Sequence, residues 1–128
     1  MPYSVKPFKK NIMIKYLHLR PFCYDTKSMY TNYGISFGWR RKENTLEIAV
    51  AVTSDLDHFC KKRVHQICTG RLNKNKSWVF TDPNIVNLTD FELGEKLRKQ
   101  FSDYDGHLST DAYWAWRNTR PEERTLEL

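Results

Sequence analysis

The chain has 128 residues, with 21 lysines and arginines against 15 aspartates and glutamates, a formal charge of +6 at pH 7. That length suits one domain with one hydrophobic core, and a composition 40% apolar and 28% charged excludes a chain too polar to collapse. No apolar run approaches the ~20 residues of a membrane-crossing helix, the first residues lack a secretory h-region, and Cys23, Cys60 and Cys68 have no paired spacing; the expectation is a single cytosolic domain over 1–128 with reduced thiols.

Residues 12–20 alternate, with Ile12, Ile14, Tyr16 and His18 on one side and Met13, Leu17 and Leu19 on the other, which predicts a strand. A long connection follows over 21–32. The arms 34–41 and 45–53 alternate around Lys42-Glu43-Asn44 and predict a hairpin, with Ile35, Phe37 and Trp39 on the first arm and Leu46, Ile48, Val50 and Val52 on the second. Small Ala49 and Ala51 on the second arm's other face leave room for close approach.

Ser54 offers a cap, and Asp55 and Asp57 complement the dipole, of a helix expected over 55–72. Its wheel puts Leu56, Cys60 and Ile67 inward with Phe59 and Val64 flanking, and Lys61, Lys62, His65 and Thr69 outward. Arg63 and Arg71 fall on or beside the inward stripe and need partners or an edge to reach water. A short strand over 77–80 and a turn over 81–84 come next. Thr89 and Glu92 form a capping box, and Leu88 and Leu93 a hydrophobic staple, for a helix to Phe101 that buries Leu93, Leu97 and Phe101. A loop spans 102–108, a last helix carries Tyr113, Trp114 and Trp116 over 110–117, and 122–128 reads as a flexible, solvated tail. The fold expected is α+β: a mostly antiparallel sheet of about four strands packed by one long helix, with two shorter C-terminal helices.

The positive charge is unevenly placed. Residues 1–44 carry nine cations against two carboxylates, and 58–81 carry Lys61, Lys62, Arg63, Arg71, Lys74 and Lys76 with no carboxylate, whereas 82–128 carry ten carboxylates against six cations. Such asymmetry points to a basic face and an acidic partner.

No reaction is written in the sequence. GxSxG, HExxH, CxxC and Gly-rich phosphate loops are absent, and Asp55 with Asp57 is explained by capping. His65 and Cys68 lie three apart, yet the wheel brings neither His58 nor Cys60 to them as a complete ligand set, so neither a metal nor another cofactor is expected. RNA binding fits better: Arg40, Arg41 and Lys42 crown the hairpin turn, while Lys61, Lys62, His65, Arg71, Lys74 and Lys76 follow the helix and its exit. Tyr30, Tyr33, Trp39 and Trp78 are candidates to stack on unpaired bases. The competing expectation is a stoichiometric inhibitor of a host or defence protein, with Trp114 and Trp116 as anchors.

The segment 34–72 resembles a block in small accessory proteins of tailed phages and mobile elements, in which a hairpin ending in an Ala/Val strand precedes a helix of the form D-N-F-x-[RK]-K-x-G-[RK]-x-I-A-x-G-R-L. Asp57, Phe59, Lys61, Lys62, Ile67, Gly70, Arg71 and Leu72 match it, whereas His58, Arg63, Val64 and His65 depart from it. The resemblance implies a phage accessory protein working in the host cytoplasm, and the lack of a catalytic constellation makes it a non-enzymatic one. One group of these proteins is described as modifying suppressor tRNAs, which makes tRNA one RNA to consider.

Overall fold

A long antiparallel hairpin is the centre of the molecule. In the computed structural model, which describes residues 13–23, 28–29, 33–54, 56–103 and 106–128, β4 (Gly34–Lys42) pairs with β5 (Thr45–Thr53) from Gly34↔Thr53 to Lys42↔Thr45. The turn is Glu43-Asn44, with Glu43 in the left-handed region at φ 54°. β1 (Lys15–Leu19) adds outside β4 and β6 (Trp78–Phe80) outside β5, giving an antiparallel sheet in the order β1-β4-β5-β6. β2 (Phe22–Cys23) and β3 (Ser28–Met29) make a separate two-residue ladder. The fold is α+β, as expected.

Strand alternation sorts the sheet into two unlike faces. Leu17, Leu19, Ile35, Phe37, Trp39, Leu46, Ile48 and Val50 line the apolar face and share a core with the C-terminal helices. These are the single turn α2 (Pro83–Val86), α3 (Asp90–Phe101) and α4 (Thr110–Asn118). Asp82 caps α2, Ser109 caps α4, and the capping box of α3 forms, with Thr89 and Glu92 each accepting the other's backbone N–H. Leu93, Leu97 and Phe101 are buried as expected.

On the opposite face Tyr16↔Gly38, His18↔Ser36, Gly38↔Ala49 and Ser36↔Ala51 are cross-strand pairs, so that surface is polar or small. α1 (Lys61–Asn73) crosses it and buries Val64, Cys68 and Leu72 against Ala49 and Ala51. A Cβ on Gly38 would stand 2.8 Å from the Cys68 Cβ, so the helix rides as near as a residue without a side chain permits.

α1 departs from the expected helix at its start and in its face. It begins at Lys61 with Cys60 as an N-cap that makes no side-chain bond, while Ser54 Oγ accepts from the Leu56 N–H at 3.2 Å in a turn; Asp55 lies outside the described residues. Leu56, Cys60 and Ile67 face solvent, and His65 and Thr69 turn toward β1. The reason is volume. The sheet offers α1 a shallow gap over glycine and alanine, which Cys68 fits and a stripe of Leu and Ile would not.

The tail also differs from expectation. Pro121–Glu123 form a 3-10 turn, Leu126 is buried in the main core, and the Gln100 carboxamide donates to the Thr125 carbonyl and accepts from the Glu127 N–H at 3.1 and 2.9 Å. Among the described residues no helix is long and apolar enough to cross a membrane.

Candidate nucleic-acid interface

The expected basic crown at the hairpin turn does not form as one patch. Arg40 and Arg41 are adjacent on a strand and point to opposite faces of the sheet. Arg40 ion-pairs with Glu47 at 2.6 Å, the two side chains only 10% and 12% exposed, and also donates to the Asn73 side chain and the Leu72 carbonyl at 3.1 and 2.9 Å. It therefore closes the C-terminal end of α1 onto β4. Arg41 reaches Asp90 at 2.5 Å and donates to the carbonyls of Val86, at 3.1 Å, and Leu88, tying the end of α2 to the start of α3. Trp39 Nε1–H donates to the same Asp90 oxygen at 2.9 Å, and this bond, then Arg41, holds the Asp90 carboxyl below its usual range. Lys42 alone of the three is exposed.

Several other expected contacts are also internal. Trp39 is buried, Tyr33 packs on Tyr113 with ring centroids 4.5 Å apart, and Tyr30 lies outside the described residues. Trp116 is buried at 6% exposure, which removes it as a surface anchor; Trp114 remains half-exposed beside the Arg117 guanidinium. His65 is engaged with β1 and is not on the open side of its helix. What stays free in the expected set, besides Lys42 at the hairpin turn, is Lys61 and Lys62 at one end of α1 and Lys74 and Lys76 past the other, all exposed and without an ion pair to any described residue. Thirteen helical residues at ~1.5 Å each separate the two pairs by about 20 Å, the reach of a few nucleotides.

Arg71 and Lys76 open onto a feature that neither spacing nor periodicity could disclose. A cavity of about 360 Å³ lies where the end of α1 and the start of β6 meet α4 and the C-terminal segment, lined by Val50, Arg71, Asn75, Lys76, Ser77, Trp78, Trp116, Pro121 and Arg124. Three of these are cations and none is a carboxylate. Arg71 donates to the Val50 carbonyl. Arg124 donates through Nε to the Trp116 and Thr119 carbonyls at 3.0 and 3.1 Å, and its own carbonyl accepts from Trp78 Nε1 at 3.2 Å. Burial first, and then the neighbouring Arg71, push the Arg124 guanidinium down from its ordinary value. Ser77 Oγ and Trp116 Nε1 are both buried without a hydrogen-bond partner among the described residues.

A second cluster unseen in the sequence joins α1 to β1. His18 Nδ1 meets Ser36 Oγ at 2.8 Å and His18 Nε2 meets His65 Nε2 at 3.0 Å, while Tyr16 stacks on His65 at 3.7 Å and its hydroxyl meets Thr69 Oγ1 at 3.0 Å. Burial, then His65, Lys61 and Arg20, lower the His18 pKa to about 4. Ser36 has no exposed surface, so its hydroxyl offers a substrate no approach. Cys68 lies under the sheet-facing side of α1, with its thiol pushed up to about 11 by burial, and among the described residues no three His, Cys, Asp or Glu side chains are placed to hold one metal ion.

No family model matches the chain, and neither a curated protein nor a solved structure matches it at a significant level.

Proposed function

We propose that this is a non-enzymatic RNA-binding protein, with the strand laid along α1 between its two lysine pairs. One observation carries the reading: the carboxylate-free run 58–81 presents Lys61, Lys62, Lys74 and Lys76 to solvent with no acidic partner among the described residues, and Lys76 lines an aromatic and cationic cavity. Exposed unpaired lysines contribute little to stability but release counterions from a phosphate backbone. Trp78, half-buried at the cavity, favours an unpaired base over a duplex. The likeness of 57–72 to phage accessory proteins makes tRNA, with its single-stranded loops and end, the first natural RNA to test.

Binding of a labelled single-stranded RNA at a series of salt concentrations tests the reading. Four phosphate contacts on a single strand give a slope of about −3 in log K against log salt. Changing Lys61, Lys62, Lys74 and Lys76 to Glu should abolish binding without altering the circular dichroism spectrum. Affinity independent of salt, or absent near physiological ionic strength, would refute it.

A further inference from the structure

We propose that the cavity between α1, β6 and α4 binds a nucleoside monophosphate unit, its phosphate between Arg71, Lys76 and Arg124 and its base against Trp78. This deepens the RNA reading and rests on it for the choice of ligand class. Two observations converge. Arg71, Lys76 and Arg124 line one cavity with no carboxylate in its lining; Arg71 and Arg124 donate to backbone carbonyls, but those acceptors are neutral and leave three like charges that an anion neutralises. The lining is half apolar, through Val50, Trp78, Trp116 and Pro121, and its 360 Å³ exceeds what a bare phosphate or carboxylate fills. A ligand that satisfies both has an anionic end and a flat apolar body. A nucleotide has each, and the lysine-lined exit of α1 leads to the same mouth.

The unit could arrive free or as the phosphorylated end of a strand, and one titration separates these. Adenosine 5′-monophosphate added to the whole protein should quench the emission of Trp78 and Trp116 saturably, with adenosine and inorganic phosphate each at least about tenfold weaker. Lys76→Glu should weaken the mononucleotide at least about fivefold, and Arg71→Gln should do the same wherever circular dichroism shows it folded. Displacement of the mononucleotide by a 5′- or 3′-phosphorylated oligouridine, but not by a hydroxyl-ended one, assigns the strand end; binding of the mononucleotide without displacement by either assigns the free form. Adenosine binding as tightly as its monophosphate, no saturable quench up to ~5 mM, or a folded Lys76→Glu protein that binds as before would each overturn the assignment. Hydroxyl-ended RNA that still binds through Lys61 and Lys62 in that event leaves the surface reading standing. Mononucleotide binding with no RNA binding overturns the surface reading and not the cavity.

Discussion

His18 and His65, from β1 and α1, place their Nε2 atoms 3.0 Å apart, so one imidazole donates and the other accepts across the seam between sheet and helix. His18 is held at about 4 by burial and by the nearby charges of His65, Lys61 and Arg20. In the unfolded chain it takes a proton near its ordinary 6.5, so the stability it contributes is whole above that value and is lost as pH falls toward 4. With the ring only partly buried, the loss is about 1–2 kcal/mol. Urea denaturation at pH 7.5 and 4.5 should show the native protein losing more than His18→Gln by that margin; equal losses would remove His18 as the cause.

Gly38→Ala tests how near α1 lies to the sheet. The new methyl meets the Cys68 Cβ at 2.8 Å and the Tyr16 ring at 3.2 Å, so helix or strand must shift. A cost of about 1–3 kcal/mol is expected. Gly70→Ala is the control, since nothing lies within 4 Å of its Cβ position and helix propensity makes the change favourable by up to about 1 kcal/mol.

Arg40→Ala should cost about 3 kcal/mol by leaving the Glu47 carboxylate buried and unpaired, whereas replacing both partners by Leu should cost less. RNA affinity per folded molecule should keep its salt slope in both variants. A slope reduced by about 1 would make Arg40 a phosphate contact after all.

Asp90→Ala strands the buried Trp39 N–H and one Arg41 donor, at a cost of about 1–3 kcal/mol. Because its partners hold the Asp90 carboxyl below its ordinary value, that contribution is present above the unfolded pKa and disappears as the carboxyl protonates, so the native protein and the variant should converge in stability in acid.

Leu126→Ala should cost about 2 kcal/mol, measured by thermal or urea unfolding. A solvated tail would give no change; the buried side chain and the Gln100 bonds predict otherwise.

Local patterns disclosed much of the fold and little of the site. The hairpin, the Thr89 capping box and the Leu93, Leu97 and Phe101 stripe depend on neighbours in sequence, and each formed where its residues pointed. The inward side of α1 escapes a helical wheel because large apolar residues dominate it, whereas Ala49, Ala51 and Gly38 select a helix face by the room they leave. Arg40 and Arg41 are adjacent in sequence, but strand alternation sends them to different partners, Glu47 and Asp90. The cavity joins Arg71 on α1 to Arg124 after α4, and the His18–His65 contact joins a strand to a helix, so neither is a spacing that a linear reading contains.

The nine-residue pairing of β4 with β5 also has a kinetic consequence. Its contacts close over a two-residue turn, while β6 can reach β5 only after α1 has crossed the sheet, and β1 must return over the long connection to β4. Loop closure makes the hairpin the cheapest long structure to form and both edges late additions. Truncating Phe37 or Val50 should therefore slow refolding, and truncating Phe80 should mainly speed unfolding. The two walls of the cavity, α1 with β6 and the segment around Arg124, would then come together only in the last steps, so the ligand site is a product of complete folding and is absent from any partly folded form.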